Sequence, residues 1–295
     1  MYTQNSLYKP YSGILNLEKL EENLQNEARN SRYLSSYKQA SIYGNFLDFD
    51  SRIFHKRCAL IKGISIPDKT DVETLNGCLS RFIEIIRKDG VQFLSAKIYN
   101  DDIAFLHVFE RAGFSTMNCH QQYRFDFHSQ EIPNFPETCT LRIPAKDEAE
   151  KIGLLVREIF KNHCDRFHND PLLEKADSDN LHEEWGRNSV LGFADEVMVA
   201  EINGDPAGFC TAKENRELNQ FSPKKFVDFV LLGVHPRYRK KGIHTNLLRN
   251  ALRRWKSSVD FGEIVTQTNN LATLKTYAKL GIKPSASFFA MHKHF

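Results

Sequence analysis

A cluster of cations surrounds a glycine between residues 237 and 242, where the sequence reads RYRKKG. Apolar residues at helical spacing follow this stretch, so the pattern predicts a helix that begins at about Ile243. The first turn of a helix has free backbone N–H groups and the positive end of the helix dipole, and a glycine lets a ligand approach the backbone closely. Together these features predict a binding site for a pyrophosphate group.

The elements on either side of this glycine turn must hold it in place. The preceding run 229–234 (FVLLGV) is rich in branched and aromatic residues and predicts a buried strand. Pro236 ends that strand, because proline has no N–H to donate to a sheet. The following helix has one apolar face, which carries Leu247, Leu248, Ala251, Leu252 and Trp255. The sequence contains neither G-x-x-x-x-G-K-[ST] nor G-x-G-x-x-G, which excludes the nucleotide-binding loops that have those patterns.

The glycine turn resembles the R-x-x-G-x-G/A signature of the GNAT acetyltransferase superfamily, with Arg239, Gly242 and His244 at its fixed positions. His244 departs from the signature, and the sequence leaves open whether its side chain crowds the pyrophosphate or contacts it. A solvated basic loop after a core strand is the alternative interpretation. The resemblance implies acetyl-CoA as co-substrate and no metal, and it implies that the strand end pairs with the pantetheine arm and polarises the carbonyl. The cofactor-binding residues predicted in this way are Leu232, Gly233, Val234, Arg239, Lys240, Lys241, Gly242, Ile243, His244, Thr245 and Asn270.

Two residues near the C-terminus receive roles from the same resemblance. Asn270 matches the family position that hydrogen-bonds the cofactor arm, although it could equally cap the helix that follows. Tyr277 is the predicted catalytic residue, because a tyrosine at this position in the family often protonates the departing thiolate, whose basicity is similar. A core tyrosine with a satisfied hydroxyl is the alternative. The general base is not identified, and Asp228, Glu201 and His168 are all candidates.

Several local patterns predict elements outside the glycine turn. Asn203-Gly204 lies between two apolar runs and predicts a tight hairpin. The stretches 43–50 and 54–66 predict strands, and apolar residues at helical spacing predict a helix over 70–87.

A strand–turn–helix pattern occurs twice in the chain, at 91–114 and at 262–282. When Gly113 is aligned with Gly281, the same separation of 168 residues places Phe109 on Tyr277. Each copy closes one half of the chain, which favours a duplication.

The repeat predicts two related domains of an α/β class with a mixed sheet. They are a GNAT-like domain over 1–135 and a catalytic GNAT acetyltransferase domain over 136–295. The first domain is predicted to be degenerate, because the stretch after its corresponding strand is acidic and has no glycine at the helix start.

One longer stretch, 158–209, resembles bacterial dTDP-fucosamine acetyltransferases, which acetylate a nucleotide-linked 4-amino-sugar. A D-W-D-S-like opening of those enzymes is matched here by DFDS at 48–51. The resemblance implies an amino-sugar nucleotide as substrate, bound by Arg166, Phe167 and His168, although a buried, well-packed loop is the alternative for these three. Another small amine or a protein N-terminus as acceptor stays open, as does a non-catalytic module that binds acetyl-CoA.

Composition restricts the remaining partners. The 40 basic residues are nearly balanced by 37 acidic ones, for a net charge of +3, so we expect no nucleic-acid partner. Six cysteines without a C-x-x-C pair indicate reduced thiols of a cytoplasmic protein and neither a disulfide framework nor a zinc site. No stretch approaches the roughly 20 apolar residues that span a bilayer, so we expect no membrane partner. A homodimer stays open.

Overall fold

The computed structural model describes residues 2–5, 9–11, 13–68 and 71–295. The chain forms two compact units. The first unit contains the chain up to His120 together with Cys164–Glu174 and Ala286–Phe295, and the second contains Gln121–His163 and Lys175–Ser285. The division into domains 1–135 and 136–295 stays a prediction, since the compact units follow packing and the first includes segments from both halves.

Strands and helices alternate along much of the chain. In chain order, the strands are β1 Tyr2–Asn5, β2 Tyr33–Tyr37, β3 Ala40–Phe46, β4 Cys58–Ile66, β5 Phe93–Tyr99, β6 Ser115–Asp126, β7 Thr140–Arg142, β8 Glu196–Ile202, β9 Asp205–Glu214, β10 Phe226–Val234, β11 Phe261–Gln267 and β12 Lys283–His294. The α-helices are α1 Leu17–Asn30, α2 Asp48–Phe54, α3 Val72–Lys88, α4 Ile103–Arg111, α5 Ala149–Phe160, α6 Lys175–Asn188, α7 Arg216–Asn219, α8 Ile243–Trp255 and α9 Leu271–Lys279.

The first unit is built on strands in the order β2-β3-β4-β5-β12. β4 and β5 are parallel and pair from Cys58 with Phe93 to Leu60 with Ser95, whereas the other neighbours are antiparallel. The later part of β4, residues 63–66, pairs instead with β1. Helices α3 and α4 bury apolar faces against the sheet, and the core includes Leu79, Phe82, Ile98, Phe105 and Phe109.

The second unit is built on strands in the order β6-β11-β10-β9-β8-β7. β10 and β11 are parallel, while β7 to β10 pair as antiparallel neighbours, so the sheet is mixed. The predicted hairpin is confirmed between β8 and β9, where Asn203 and Gly204 both have positive φ, 53° and 84°. Two residues with positive φ give the backbone twist that a tight hairpin requires.

Both faces of the second unit's sheet are covered by helices. On β8, Met198 and Ala200 belong to the core that contains the apolar face of α8. Val197 and Val199 point the other way and pack with α5. This alternation follows from the two-residue period of a strand. The predicted helix after the glycine turn is therefore confirmed, and its apolar face is buried.

Two other local predictions have mixed outcomes. The helix predicted over 70–87 is observed as α3 from Val72, while Thr70 lies outside the described residues. The strand predicted over 43–50 is wrong in its second half, because α2 begins at Asp48. In the part of the chain that the structure describes, no helix is both long and apolar enough to cross a membrane.

Candidate active site

The parallel strands β10 and β11 separate at one end of the second unit's sheet. They pair over residues 226–229 of β10, with Phe226 opposite Phe261 and Phe229 opposite Ile264. A β-bulge in the pairing with β9 lies between Phe229 and Leu232, where the Leu231 N–H donates to Thr211 Oγ1 at 3.0 Å. Bulges bend a strand locally. Among the described residues, 232–234 pair with β9 and have no partner in the register of β11.

A cavity of about 480 Å³ lies at this separation. Its walls come from the end of β10, the glycine turn, the start of α9 and the end of α5. Ten of the eleven predicted cofactor-binding residues line it. Lys241 is the exception, since it is exposed and its Nζ lies 5.4 Å from the centre of the Tyr238 ring. The structure thus brings nearly the whole predicted set together, although cofactor binding by these residues stays a prediction.

The glycine turn has the backbone of an anion cradle. Lys240 and Gly242 both have positive φ, 64° and 78°, and Gly242 is the N-cap of α8 with no side-chain cap on the helix. A Cβ at Gly242 would lie 3.0 Å from Thr138 Cγ2, so a side chain would be both strained and crowded here. Residues 243–245 form the first turn of α8 and line the cavity. Their N–H groups have no acceptor within the helix, which makes them available to an anion.

Arg239 connects the cradle to its surroundings. Its Nε donates to the carbonyl oxygen of Val234 at 3.2 Å, and its Nη2 donates to that of Ile159 at 3.1 Å. These bonds hold the turn against the ends of β10 and α5. The guanidinium therefore shapes the cavity walls, and its charge lies beside the cradle.

Asn270 acts as the N-cap of α9. Its side-chain oxygen accepts from the Thr273 N–H at 3.4 Å, and its Nδ2 donates to Thr266 Oγ1 at 3.2 Å. The capping interpretation is thus realised in the structure. Asn270 also lines the cavity, so its contact with a cofactor arm stays a prediction.

Tyr277 is almost fully buried, with 2% of its surface exposed. Its ring centre lies 5.0 Å from that of Tyr123 and 6.3 Å from that of His244. Burial raises the pKa of Tyr277 well above its ordinary value, so the phenol keeps its proton at neutral pH. α9 places Thr273 and Thr276 on the cavity wall, and Tyr277 is not among the lining residues. Its role as an acid stays a prediction.

The residues predicted to bind the acceptor lie in the first unit, and none of them lines the cavity. Phe167 is buried against Phe54, with ring centres 5.2 Å apart, and the Arg166 guanidinium lies 4.3 Å from the centre of the Phe167 ring. His168 Nδ1 is 2.7 Å from Asp165 Oδ2. These contacts are those of a packed loop, and acceptor binding by the three residues stays a prediction.

The candidates for a general base are all engaged. Asp228 accepts from Asn215 Nδ2 at 2.9 Å, and Glu201 accepts from Arg142 Nε at 2.6 Å. His168, the third candidate, pairs with Asp165 in the first unit. These contacts do not single out one of the three as the base.

Sequence reasoning missed one wall of the cavity. Ile159, Phe160 and His163 at the end of α5 line it, and His163 Nε2 is 3.2 Å from Oε1 of Gln267 at the end of β11. No sequence motif marks these residues. Their only signal is that the helical pattern ends there, and a helix end can be placed near β11 only when the sheet order is known.

The comparisons with known proteins agree with this geometry. Residues 157–282 match the Acetyltransferase (GNAT) family, and the protein is an acyltransferase. Enzymes of this family use acetyl-CoA as co-substrate.

One curated protein and two solved structures illustrate this similarity. The chain is 22% identical over 248 residues to the spore coat polysaccharide biosynthesis protein SpsD of Bacillus subtilis (strain 168), and the match covers 83% of this chain and 80% of SpsD. A GCN5-related N-acetyltransferase from Sphaerobacter thermophilus aligns with a TM-score of 0.61 and 15% identity, covering 93% of this chain and 85% of that one. A tandem GNAT protein from the clavulanic acid biosynthesis pathway aligns with a TM-score of 0.57 and 13% identity, covering 86% and 78%. The predicted α/β fold with a mixed sheet and GNAT-like architecture is confirmed.

Proposed function

We propose that the protein transfers an acetyl group from acetyl-CoA to the amine of a nucleotide-linked amino-sugar. The observation that carries the donor half is the cavity at the β10–β11 separation, which combines an unpaired strand edge, the glycine turn and the start of α8 in one space. The acceptor half rests on the similarity to SpsD, whose name refers to polysaccharide biosynthesis, and on the resemblance of 158–209 to dTDP-fucosamine acetyltransferases.

Two parts of the cavity would hold the donor. The free N–H groups of residues 243–245, beside the charges of Arg239 and Lys240, would hold the pyrophosphate. The backbone edge of residues 232–234, which β11 leaves unpaired, would pair with the amides of the pantetheine arm.

The reaction forms an N–C bond between the acceptor amine and the acetyl carbon and breaks the C–S bond of the thioester. A backbone N–H of residues 232–234 would stabilise the negative charge that develops on the carbonyl oxygen. Tyr277 would give its proton to the departing sulfur. Burial raises the pKa of this phenol, so the transfer has less driving force than it would from an unperturbed tyrosine. The amine loses a proton to water or to one of the candidate bases.

We also propose a cytoplasmic location. All six cysteines are free thiols, and the most buried of them, such as Cys210, are core residues. Reduced thiols are the rule in the cytoplasm.

A substrate panel tests this function. Purified protein is incubated with acetyl-CoA and one acceptor at a time: dTDP- and UDP-linked amino-sugars, the free amino-sugars, and peptides with free N-termini. Release of CoA thiol gives the rate, and mass spectrometry of the acceptor identifies the added acetyl group. We expect turnover with at least one amino-sugar nucleotide. Acetylation of peptides with no turnover of any amino-sugar nucleotide would contradict the proposed acceptor.

A further inference from the structure

The turn that follows α5 brings an imidazole to the wall of the cavity. The His163 N–H donates to the carbonyl oxygen of Phe160, the last residue of α5, at 2.8 Å, and both residues line the cavity. The two rings meet edge-on with their centres 5.4 Å apart, and His163 Nε2 is 3.2 Å from Oε1 of Gln267 at the end of β11. The half-buried His163 ring therefore lies between the end of α5 and the end of β11, beside the separation of β10 and β11.

Among the lining residues that the structure describes, His163 and His244 are the two that can accept a proton near neutral pH. The other lining residues are apolar, or they carry a hydroxyl, an amide or a cation that keeps its proton at this pH. Burial lowers the pKa of His244 to about 4, and this residue lies in the first turn of α8, where we place the pyrophosphate. The earlier candidates Asp228, Glu201 and His168 do not line the cavity.

The contact with Gln267 determines which ring nitrogen of His163 can act as a base. A side-chain carbonyl oxygen only accepts hydrogen bonds, so Nε2 carries the N–H and donates it to Gln267 Oε1. A neutral imidazole has a single N–H, and the lone pair is therefore on Nδ1. Imidazole is the side-chain group best suited to take up and release a proton near neutral pH.

The acid proposed for the reaction comes from the opposite face of the sheet. Tyr277 of α9 belongs to the core that contains the apolar face of α8, whereas Ile159 of α5 belongs to the core on the other face. Residues of both α5 and α9 line the cavity. A thioester in this cavity would have a proton donor for its sulfur on one side and a proton acceptor for the attacking amine on the other.

We propose that His163 is the general base of the acetyl transfer and that Gln267 is the positioning residue that holds its tautomer. The inference rests on the proposed function and adds a catalytic residue to it. As the amine nitrogen forms its bond to the acetyl carbon, its proton moves to Nδ1 of His163. The C–S bond breaks, and the sulfur takes the proton of Tyr277. The imidazolium then gives a proton to water and the phenolate takes one from water, which returns both residues to their starting states.

Steady-state kinetics of the full chain tests this role. The reaction contains acetyl-CoA and the best acceptor of the substrate panel, which is the dTDP-linked 4-amino-sugar if that compound is turned over. His163→Gln keeps an amide that can donate to Gln267 but that cannot take up a proton at neutral pH. We expect its kcat to fall roughly 100-fold or more, the usual contribution of a general base, while the calorimetric affinity for CoA stays within about threefold of the wild type.

Chemical rescue separates a lost base from a disturbed cavity wall. His163→Ala leaves room for a small ring, so imidazole in the solution should raise its rate by at least about tenfold. Pyrazole has the same shape but is a far weaker base, so it should not restore the rate. Thermal unfolding checks that each variant keeps the fold, and His163→Gln is the reference if His163→Ala unfolds.

Three results would overturn the proposal. They are near-normal kcat in folded His163→Gln, a loss in His163→Ala that imidazole does not restore or that pyrazole restores equally, and a fall in CoA affinity that accounts for the whole loss of activity. In the last case the residue would bind the donor. Wild-type protein that turns over no amine of the panel would instead overturn the proposed function.

Discussion

Each of the two units contains one pair of parallel strands, β4 and β5 in the first and β10 and β11 in the second. The two pairs differ in what lies beyond the residues at which the strands stop pairing. In the second unit, β10 separates from β11 after Phe229, and the space between them is the cavity. In the first unit, β4 pairs with β5 over residues 58–60, and the continuing part of β4 is paired by β1. The backbone edge that could hold a cofactor arm is thus already satisfied in the first unit.

The helix that follows each strand shows a second difference. In the first unit, the Asp71 carboxylate caps α3 by accepting from the Thr74 N–H at 3.0 Å. In the second unit, Gly242 leaves the first turn of α8 without a side-chain cap. A carboxylate at the helix start repels an anionic ligand, whereas an uncapped start attracts one. One strand–helix arrangement can therefore be a closed scaffold or a ligand site, depending on a few residues at its open end.

The third difference is a single hydroxyl. Phe109 of α4 is fully buried and packs on Phe114, with ring centres 4.9 Å apart. The repeat aligns it with Tyr277, which is nearly as buried. Packing therefore explains an aromatic ring at both positions but does not explain the hydroxyl.

The largest expected effect comes from removing that hydroxyl. In Tyr277→Phe, turnover should fall by roughly two to four orders of magnitude, the usual contribution of general acid catalysis, while the affinity for acetyl-CoA is retained. Steady-state kinetics with an accepted amine measures the change. Tyr123→Phe removes the hydroxyl of the neighbouring tyrosine and is the matched control. Near-normal turnover in a folded Tyr277→Phe protein would mean that Tyr277, like Phe109, only packs in the core.

Closing the glycine turn should have the next largest effect. In Gly242→Val, the branched side chain meets Thr138 and the positive φ is strained, so CoA affinity should fall by at least about 100-fold. Gly204→Val is the control, because Gly204 has a similar φ of 84° with open space around it. Calorimetry gives both affinities. An unchanged affinity in Gly242→Val would remove the glycine turn from the site.

Acid should destabilise the wild type more than a variant without the His244 ring. The folded pKa of His244 is about 4 and that of an unfolded histidine is near 6.5, so only the unfolded chain takes up this proton between the two values. The contribution of the neutral, buried His244 ring to the free energy of unfolding is present above pH 6.5 and is lost as the pH falls toward 4. Denaturant unfolding at several pH values measures the free energy of unfolding. As the pH falls toward 4, this free energy should decrease in the wild type by on the order of 3 kcal/mol more than in His244→Asn. Parallel pH profiles would show that the ring is not buried as described.

The smallest expected effect comes from removing β1, which pairs with the later part of β4 in the first unit. A chain without residues 1–5 loses the pairing of β1 with β4 and should be less stable by on the order of 2 kcal/mol. It should gain no second CoA site, because Asp71 still caps α3. Calorimetric stoichiometry should stay at about one CoA per chain. A second binding event would mean that the pairing of β1 with β4 alone prevents the first unit from binding CoA.

Short-range chemistry explains what could be predicted from the sequence. Asn203-Gly204 requires positive φ at both residues, and Gly242 stands between an apolar run and an apolar helix face, so the hairpin and the glycine turn could be located. The stretch 43–50 predicts a strand, yet α2 begins at Asp48 and buries Ile53 and Phe54. Tertiary burial decided that segment.

The open end of the site depends on contacts between distant parts of the chain. The bulge before Leu232 is defined by pairing with β9, and His163 reaches the cavity only because α5 ends near Gln267 of β11. Neither feature has a local sequence signal. The loop with Arg166 to His168 differs from these two features, because it does have a local sequence signal, its resemblance to sugar-modifying enzymes. The structure nevertheless buries Phe167 in the first unit, outside the cavity.

Hydrogen–deuterium exchange with and without saturating CoA tests most directly that the separation of β10 and β11 is the cofactor site. A bound cofactor arm would pair with the edge of residues 232–234 that β11 leaves unpaired, and a bound pyrophosphate would pair with the N–H groups of 243–245. Peptides covering 230–246 should therefore exchange more slowly. Peptides covering 58–66 of β4 should be unchanged, because that edge is already paired by β5 and β1. Protection of β4 without protection of 230–246 would place the cofactor in the first unit and contradict the proposed site.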